Sequence, residues 1–304
     1  MNNRISFNKS VKNTIISQKI EKKCCKTSFL LGMMLFSQFF EISCIRVNCE
    51  NPAQIEKISL LTDELFGIDI RNFIGNINAN QMRINISDES TCKKIISGFG
   101  YDDYLKTYHI PDEIFKCDSC LSYFLKGVFL SCGNVTSPEK DYHLDLTVSH
   151  FNLSRELLYY VKKVFPDIKY SKRTSHYILY YKESEKILDF LNYLGAHKEA
   201  FSFCDAKIEK EIRNTCNRIT NCETANLSKV ISASSRQIEA ILFLKKSGKL
   251  KDLPEDLKYT ALIRLENPEA SLSELAFLHS PAVTKSCVTH RLQKLVSVFE
   301  NCQA

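Results

Sequence analysis

Between residues 142 and 149 the chain reads YHLDLTVS, with apolar and polar positions alternating at a period of two. Tyr142, Leu144, Leu146 and Val148 therefore share one face of a strand and His143, Asp145, Thr147 and Ser149 the other, one face core and one free. Residues 28–40, SFLLGMMLFSQFF, form the longest apolar run. It falls short of the roughly 20 residues a bilayer helix needs and is read as a buried helix. Near the C-terminus EDLKYTALIRLEN (255–267) places Leu257, Ala261, Leu262 and Leu265 on one helical stripe, which Pro268 cannot extend. Ser271 and Glu274 have capping-box spacing for a short second helix, SPAV (280–283) makes a turn, and Thr284 is an N-cap for a third. Val288, Leu292, Leu295 and Phe299 form the buried side of that third helix.

The first 200 residues hold a repeat. CKTSFLLGMMLFS (25–37) set beside CLSYFLKGVFLSC (120–132) aligns Cys25 with Cys120, Phe29 with Phe124 and Gly32 with Gly127. Farther on, Leu65–Phe66 matches Val164–Phe165, Glu89–Ser90 matches Glu183–Ser184, and Phe99–Gly100 matches Leu194–Gly195. Each unit is expected to run αβαββα: an apolar helix, an alternating strand (IRVN at 45–48, YHLDLTVS at 142–149), an amphipathic helix, a strand pair ending in QMRINIS or SHYILYY, and a short helix. A repeat of this length means a duplicated domain half, not a solenoid.

FLKGVFLSCGNV (124–135) resembles the LAGLIDADG helix of homing endonucleases. That resemblance implies two such helices packed glycine to glycine on a pseudo-twofold axis, each offering an acid to Mg²⁺ at its end. Gly32 and Gly127 suit the close approach, which a Cβ would obstruct. At the positions of the acids this chain has Ser37 and Cys132, neither of which supplies the hard carboxylate oxygens that Mg²⁺ prefers. No catalytic residue is assigned at this centre. An endonuclease reading would need relocated acids such as Asp141 with Asp145, or Asp102 with Asp103.

The block RNTCNRITNCETANLSKVISASSRQIEAI (213–241) has unbroken helical composition, and its NRITNCETANL and RQIEAI segments closely resemble the WhiA family of sporulation and cell-division regulators. SFNKSVK (6–12), KKCC (22–25), the second LAGLIDADG-like unit and NPEASLSELAFL (267–278) extend the resemblance over nearly the whole chain. It implies an α+β fold, in which a duplicated LAGLIDADG-like domain without cleavage activity precedes an all-α helix-turn-helix domain. The expected divisions are a basic arm (1–20), the LAGLIDADG-like domain (21–203, repeats about 21–101 and 115–203), a helical linker (204–250) and the helix-turn-helix (251–304). The sequence departs from the family at Thr14, where a glutamate is usual, and at Cys287 and Thr289, where glycine and asparagine are expected.

If the third C-terminal helix is a recognition helix, its wheel turns Ser286, His290, Gln293 and Lys294 outward, with Lys285 and Thr289 at the flank near the N-terminal end. Thr284, Lys285, Ser286, Thr289, His290, Arg291, Gln293 and Lys294 are the candidate DNA-binding residues: Arg291 and Lys294 for phosphates, Ser286, Thr289, His290 and Gln293 for base edges. The expected partner is double-stranded DNA, with another transcription regulator or a sigma factor as protein partner, and the expected place is the cytoplasm, on the nucleoid.

Composition changes this picture little. A net charge of +6 and a pI near 8.6 tilt modestly toward polyanions. Much of the excess lies in the first 30 residues, where Arg4, Lys9, Lys12, Lys19, Lys22, Lys23 and Lys26 face Glu21 alone, a pattern read as a solvated tail. The 13 cysteines sit largely in apolar stretches of a large chain, as reduced cysteines do in a cytosolic protein. Cys117 and Cys120 make a CxxC, but no second CxxC or CxxH follows at zinc-finger spacing, so neither metal nor cofactor is expected. His143 and His150 are read as exposed strand residues. Gly-rich phosphate loops, GxSxG and HExxH do not occur.

Overall fold

The computed structural model describes residues 5–78, 81–101 and 108–303, and the chain divides between Lys210 and Glu211 into two units. The first opens with α1 (Phe7–Ser17), followed by α2 (Lys23–Leu35), β1 (Phe39–Glu41), β2 (Cys44–Cys49), α3 (Pro52–Phe66), β3 (Ile74–Asn78), β4 (Gln81–Ile86) and α4 (Glu89–Gly98). The second repeat follows the same order: α5 (Cys120–Cys132), β5 (Gly133–Val135), β6 (Leu144–Val148), α6 (Phe151–Lys162), β7 (Lys169–Arg173), β8 (His176–Tyr181) and α7 (Ser184–Tyr193). Each repeat folds into a four-stranded antiparallel sheet, β1-β2-β4-β3 or β5-β6-β8-β7. Equivalent residues meet at equivalent places, Ile45 opposite Ile86 and Leu144 opposite Tyr181.

The repeat unit is thus αββαββα, with one strand more than the periodicity predicted. The apolar run 28–40 is not all helix: α2 stops at Leu35, and the Ser37 hydroxyl then donates to the Met34 carbonyl and lies 3.2 Å from that of Phe39. Phe39–Glu41 then becomes an edge strand that buries Phe40 alone. In β6 the expected alternation appears, with Leu144, Leu146 and Val148 buried and Asp145 and Thr147 half-buried. Where α3 begins, Asn51 caps the Ala53 N–H at 2.9 Å and Pro52 starts the helix; Gly67, at φ +66°, ends it in the left-handed conformation that glycine adopts without strain.

At the centre, α2 and α5 touch backbone to backbone. A Cβ on Gly32 would lie 2.4 Å from the Phe124 carbonyl oxygen, and one on Gly127 would lie 2.1 Å from that of Phe29. The contacts are reciprocal, as a pseudo-twofold axis through the two glycines requires. Phe29, Leu30, Met34, Phe124, Leu125 and Phe129 extend from this seam into one core shared by both sheets.

The basic N-terminal segment is not a solvated tail over its described residues. Ser6 caps α1 through the Lys9 N–H, and Val11, Ile15 and Ile16 are buried in the core. Their i, i+4, i+5 spacing makes an apolar stripe that the flanking lysines obscure in the sequence. Ser10 and Thr14 each donate a hydroxyl, at 2.8 Å, to Oε1 of the buried Glu199. Glu199 lies in the first turn of α8 (His197–Lys246), one continuous helix of 50 residues.

In the second unit, α9 (Glu255–Glu266), α10 (Leu272–Leu278) and α11 (Lys285–Gln303) enclose a small core. It is built from Ile241 and Leu244 of α8, Leu250, Leu257, Ala261, Leu275, Val288, Leu292 and Leu295. Leu262 does not belong to the stripe predicted for α9 and is exposed. Five residues after Leu257 it lies about 140° around the helix, so Thr260 and Arg264 take the inner face instead. Among the described residues no helix is long and apolar enough to cross a membrane.

Candidate nucleic-acid interface

The two helices that could meet DNA are set by their caps. Ser271 and Glu274 form a reciprocal capping box: the Ser271 hydroxyl accepts from the Glu274 N–H at 3.3 Å, and the Glu274 carboxylate accepts from the Ser271 N–H at 2.7 Å. These bonds hold the Glu274 carboxyl below the usual carboxylate range. Thr284 starts α11 by accepting the Cys287 N–H at 3.2 Å. Between the helices His279 is buried; its Nδ1 donates to the Leu275 carbonyl at 2.8 Å, and Nε2 lies 2.9 Å from the Thr260 hydroxyl of α9. This histidine ties the turn to the first helix of the motif. Its sequence context, between an apolar helix and SPAV, carries no signal for that role.

Most predicted site residues fall on one surface. Thr284, Lys285, Ser286, His290, Gln293 and Lys294 are exposed on α11 or its cap, and Thr289 is half-exposed beside them. The Thr289 hydroxyl donates to the Lys285 carbonyl at 2.8 Å, which leaves it only an acceptor for an outside partner. Arg291 differs from the expectation. Its Nε lies 3.3 Å from Asp256 Oδ2, and Nη1 reaches the Thr260 hydroxyl at 3.5 Å, so it braces α11 against α9 instead of standing outward. The reason is angular: Arg291 lies about 60° from Val288 and about 40° from Leu295 on the wheel, beside the buried face.

Among the described residues, no pair of acids stands at the helix-end positions 37 and 132. Ser37 is bonded to main-chain carbonyls, and burial pushes the Cys132 thiol up to about 12, so it stays neutral. Asp145, one of the relocated candidates, is held by the Thr147 hydroxyl at 3.0 Å and by His143 Nε2 at 3.3 Å. By sheet register its counterpart in the first repeat is Arg46, whose guanidinium lies 4.9 Å over the Phe39 ring. A carboxylate in one repeat and a cation at the equivalent position of the other cannot make a symmetric metal site. Asp141 is exposed, and Asp102 and Asp103 lie outside the described residues. His150 is exposed, with its ring 4.2 Å from that of Tyr108.

The CxxC is not alone either. Cys24 and Cys25, from the KKCC segment, stand with Cys117 and Cys120, and all four Sγ atoms lie within 4.8 Å of one another. Hydrogen bonding from the Cys120 thiol brings Cys117 down to about 7, while burial pushes Cys25 up. The partner of the CxxC is not a second CxxC or CxxH but a vicinal pair supplied by the other repeat. The alignment of Cys25 with Cys120 was the signal, because a twofold axis brings equivalent helix starts together.

Comparison with known proteins places this architecture. The model of the WhiA LAGLIDADG-like domain matches residues 121–213, and that of the WhiA C-terminal HTH domain matches residues 216–299. A probable cell division protein WhiA of Clostridium botulinum is 33% identical over 97% of this chain and 98% of its own length. This chain belongs to the WhiA family. Other members named probable cell division protein WhiA include that of Alkaliphilus metalliredigens, 32% identical over 97% of this chain and 98% of its own. That of Desulforamulus reducens is 33% identical over 99% and 97%. The crystal structure of full-length DUF199/WhiA from Thermotoga maritima covers 98% of both chains with a TM-score of 0.57 at 24% identity, a likeness of fold. The WhiA LAGLIDADG-like match begins inside α5 and leaves out the first repeat, whose Gly32 is nevertheless packed as Gly127 is.

Proposed function

We propose that this WhiA-family chain is a non-cleaving DNA-binding protein that regulates transcription in cell division, chromosome segregation or sporulation. Its sequence-reading element is α11. The observation that carries the reading is the exposed polar row Lys285, Ser286, His290, Gln293 and Lys294, presented from a helix whose start is capped and whose other face is fully packed. Such a helix is rigid in its apolar setting and free on the side that carries hydrogen-bond donors and acceptors, which direct readout of base edges requires. Of these processes, the names of the relatives support cell division. Another transcription regulator or a sigma factor is the protein partner this role calls for, and the nucleoid its place.

Absence of cleavage follows from chemistry at the helix ends. Without a carboxylate at Ser37 or Cys132, no divalent cation is held to stabilise the attacking and leaving oxygens of a phosphodiester. The test uses the purified full-length protein and duplex fragments of genomic DNA. Binding should be complete in the absence of divalent metal, and the bound DNA should stay intact when Mg²⁺ is added. Strand cleavage that requires Mg²⁺ and is abolished by Asp145→Asn or Asp141→Asn would overturn the reading, as would failure to bind duplex DNA at low salt.

A further inference from the structure

We propose that Cys24, Cys25, Cys117 and Cys120 form a tetrahedral site for one zinc(II) ion, which staples the two repeats together where their central helices begin. Cys117 Sγ lies 3.7 Å from that of Cys24, 3.6 Å from that of Cys25 and 3.5 Å from that of Cys120. A zinc ion bound by four thiolates at about 2.3 Å sets the sulfurs about 3.8 Å apart, the edge of the tetrahedron. The four thiols thus stand within a few tenths of an ångström of that spacing along three edges. An iron–sulfur cluster is a poorer fit, because several irons and bridging sulfides have to separate the same four ligands.

The surroundings suit a doubly negative tetrathiolate centre. Cys24 and Cys25 lie in the first turn of α2 and Cys120 is the first residue of α5, so two helix N-termini direct their positive ends at the sulfurs. The buried Lys126 ammonium, 4.4 Å above the Tyr123 ring, lies near enough to interact with the charge of Cys25. All four ligands come from protein and Cys25 and Cys120 are fully buried, which leaves no open position for a substrate. The role is structural. Soft thiolates select zinc over magnesium or calcium, and deprotonation of the four thiols releases their protons to solvent as the metal binds. Each repeat supplies two ligands, so neither can hold the ion without the other, and the link joins residues 93 apart in the chain.

The experiment takes the reduced full-length protein and measures zinc and iron by elemental analysis. Cobalt(II) is then titrated into metal-free protein and followed by its visible ligand-field and thiolate charge-transfer bands. One equivalent of zinc per chain and the strong bands of a tetrahedral cobalt–thiolate centre are expected, with a Tm several degrees lower once a chelator has removed the metal. Cys24→Ser and Cys117→Ser alter half-exposed ligands, and each should weaken metal binding beyond the roughly 10–100-fold that losing an outer-shell partner costs. Cys216→Ser, at an exposed position of α8, should bind as the parent does. If the ligand variants fail to fold, the cobalt spectrum of the unaltered protein decides. Unaltered reduced protein that takes up no stoichiometric zinc or cobalt, iron with sulfide in its place, or full binding by folded Cys117→Ser would overturn the proposal.

Discussion

Gly32 and Gly127 meet across the axis of the first unit with main-chain atoms on both sides, so an added methyl group has no flexible side chain to displace. Gly32→Ala would set its Cβ 2.4 Å from a carbonyl oxygen and 2.9 Å from the Val128 nitrogen, and relief requires α2 and α5 to move apart. Overpacking of this kind costs about 3 kcal/mol or more when backbone has to shift. Gly32→Ala and Gly127→Ala are therefore each expected to lower the urea midpoint strongly, without change in m-value. Gly75→Ala, where an added Cβ meets nothing within 4 Å, should stay within about 0.5 kcal/mol of the parent. The glycine pair was legible in the sequence from its alignment alone. Arg291 was not: a basic residue on a recognition helix reads as a phosphate contact until Asp256, 35 positions earlier, is seen 3.3 Å away.

Among the elements, the short α10 depends most on its ends. Its seven residues cannot sustain a helix by propensity, so the capping box and the burial of Leu275 and Ala276 hold it. Ser271→Ala should destabilise the second unit by about 1 kcal/mol. The carboxylate half of the box adds a pH dependence: the folded-state pKa of Glu274 is depressed, so its contribution is present above the ordinary carboxylate value near about 4 and is lost as pH falls through the folded value. Thermal midpoints of the parent and of Glu274→Gln, followed downward from neutral pH, should converge in that acid range. Elements with several turns or a long alternation could be read from the pattern, β6 and the stripe of α11 among them. The three-residue strands β1 and β5 could not, because so short a span shows no period. In α1 the lysines drew the reading toward solvent, although Val11, Ile15 and Ile16 already carried helical spacing. The four cysteines were divided between repeats, and only the twofold packing of α2 and α5 unites them.

On the scale of the whole molecule, a duplicated LAGLIDADG-like unit that lacks its helix-end acids is joined through α8 to a helix-turn-helix unit, on a chain of net charge +6. On the proposed reading, that charge supports association with any DNA and the row on α11 supplies the choice of site; the two contributions separate by salt. The most direct measurement of the central claim is selection from a randomised duplex library by the parent protein and its alanine variants at two salt concentrations. The parent should enrich one motif. Ser286→Ala, Thr289→Ala, His290→Ala and Gln293→Ala should each relax one or more positions of that motif, at about 1–3 kcal/mol on the preferred site and little on random DNA. Lys294→Ala should weaken all sequences alike and lower the salt slope by about one unit, while Arg291→Ala should lower stability and leave the slope unchanged. If all four outward variants select the parental motif with parental affinity, α11 is packing and not the reader of sequence.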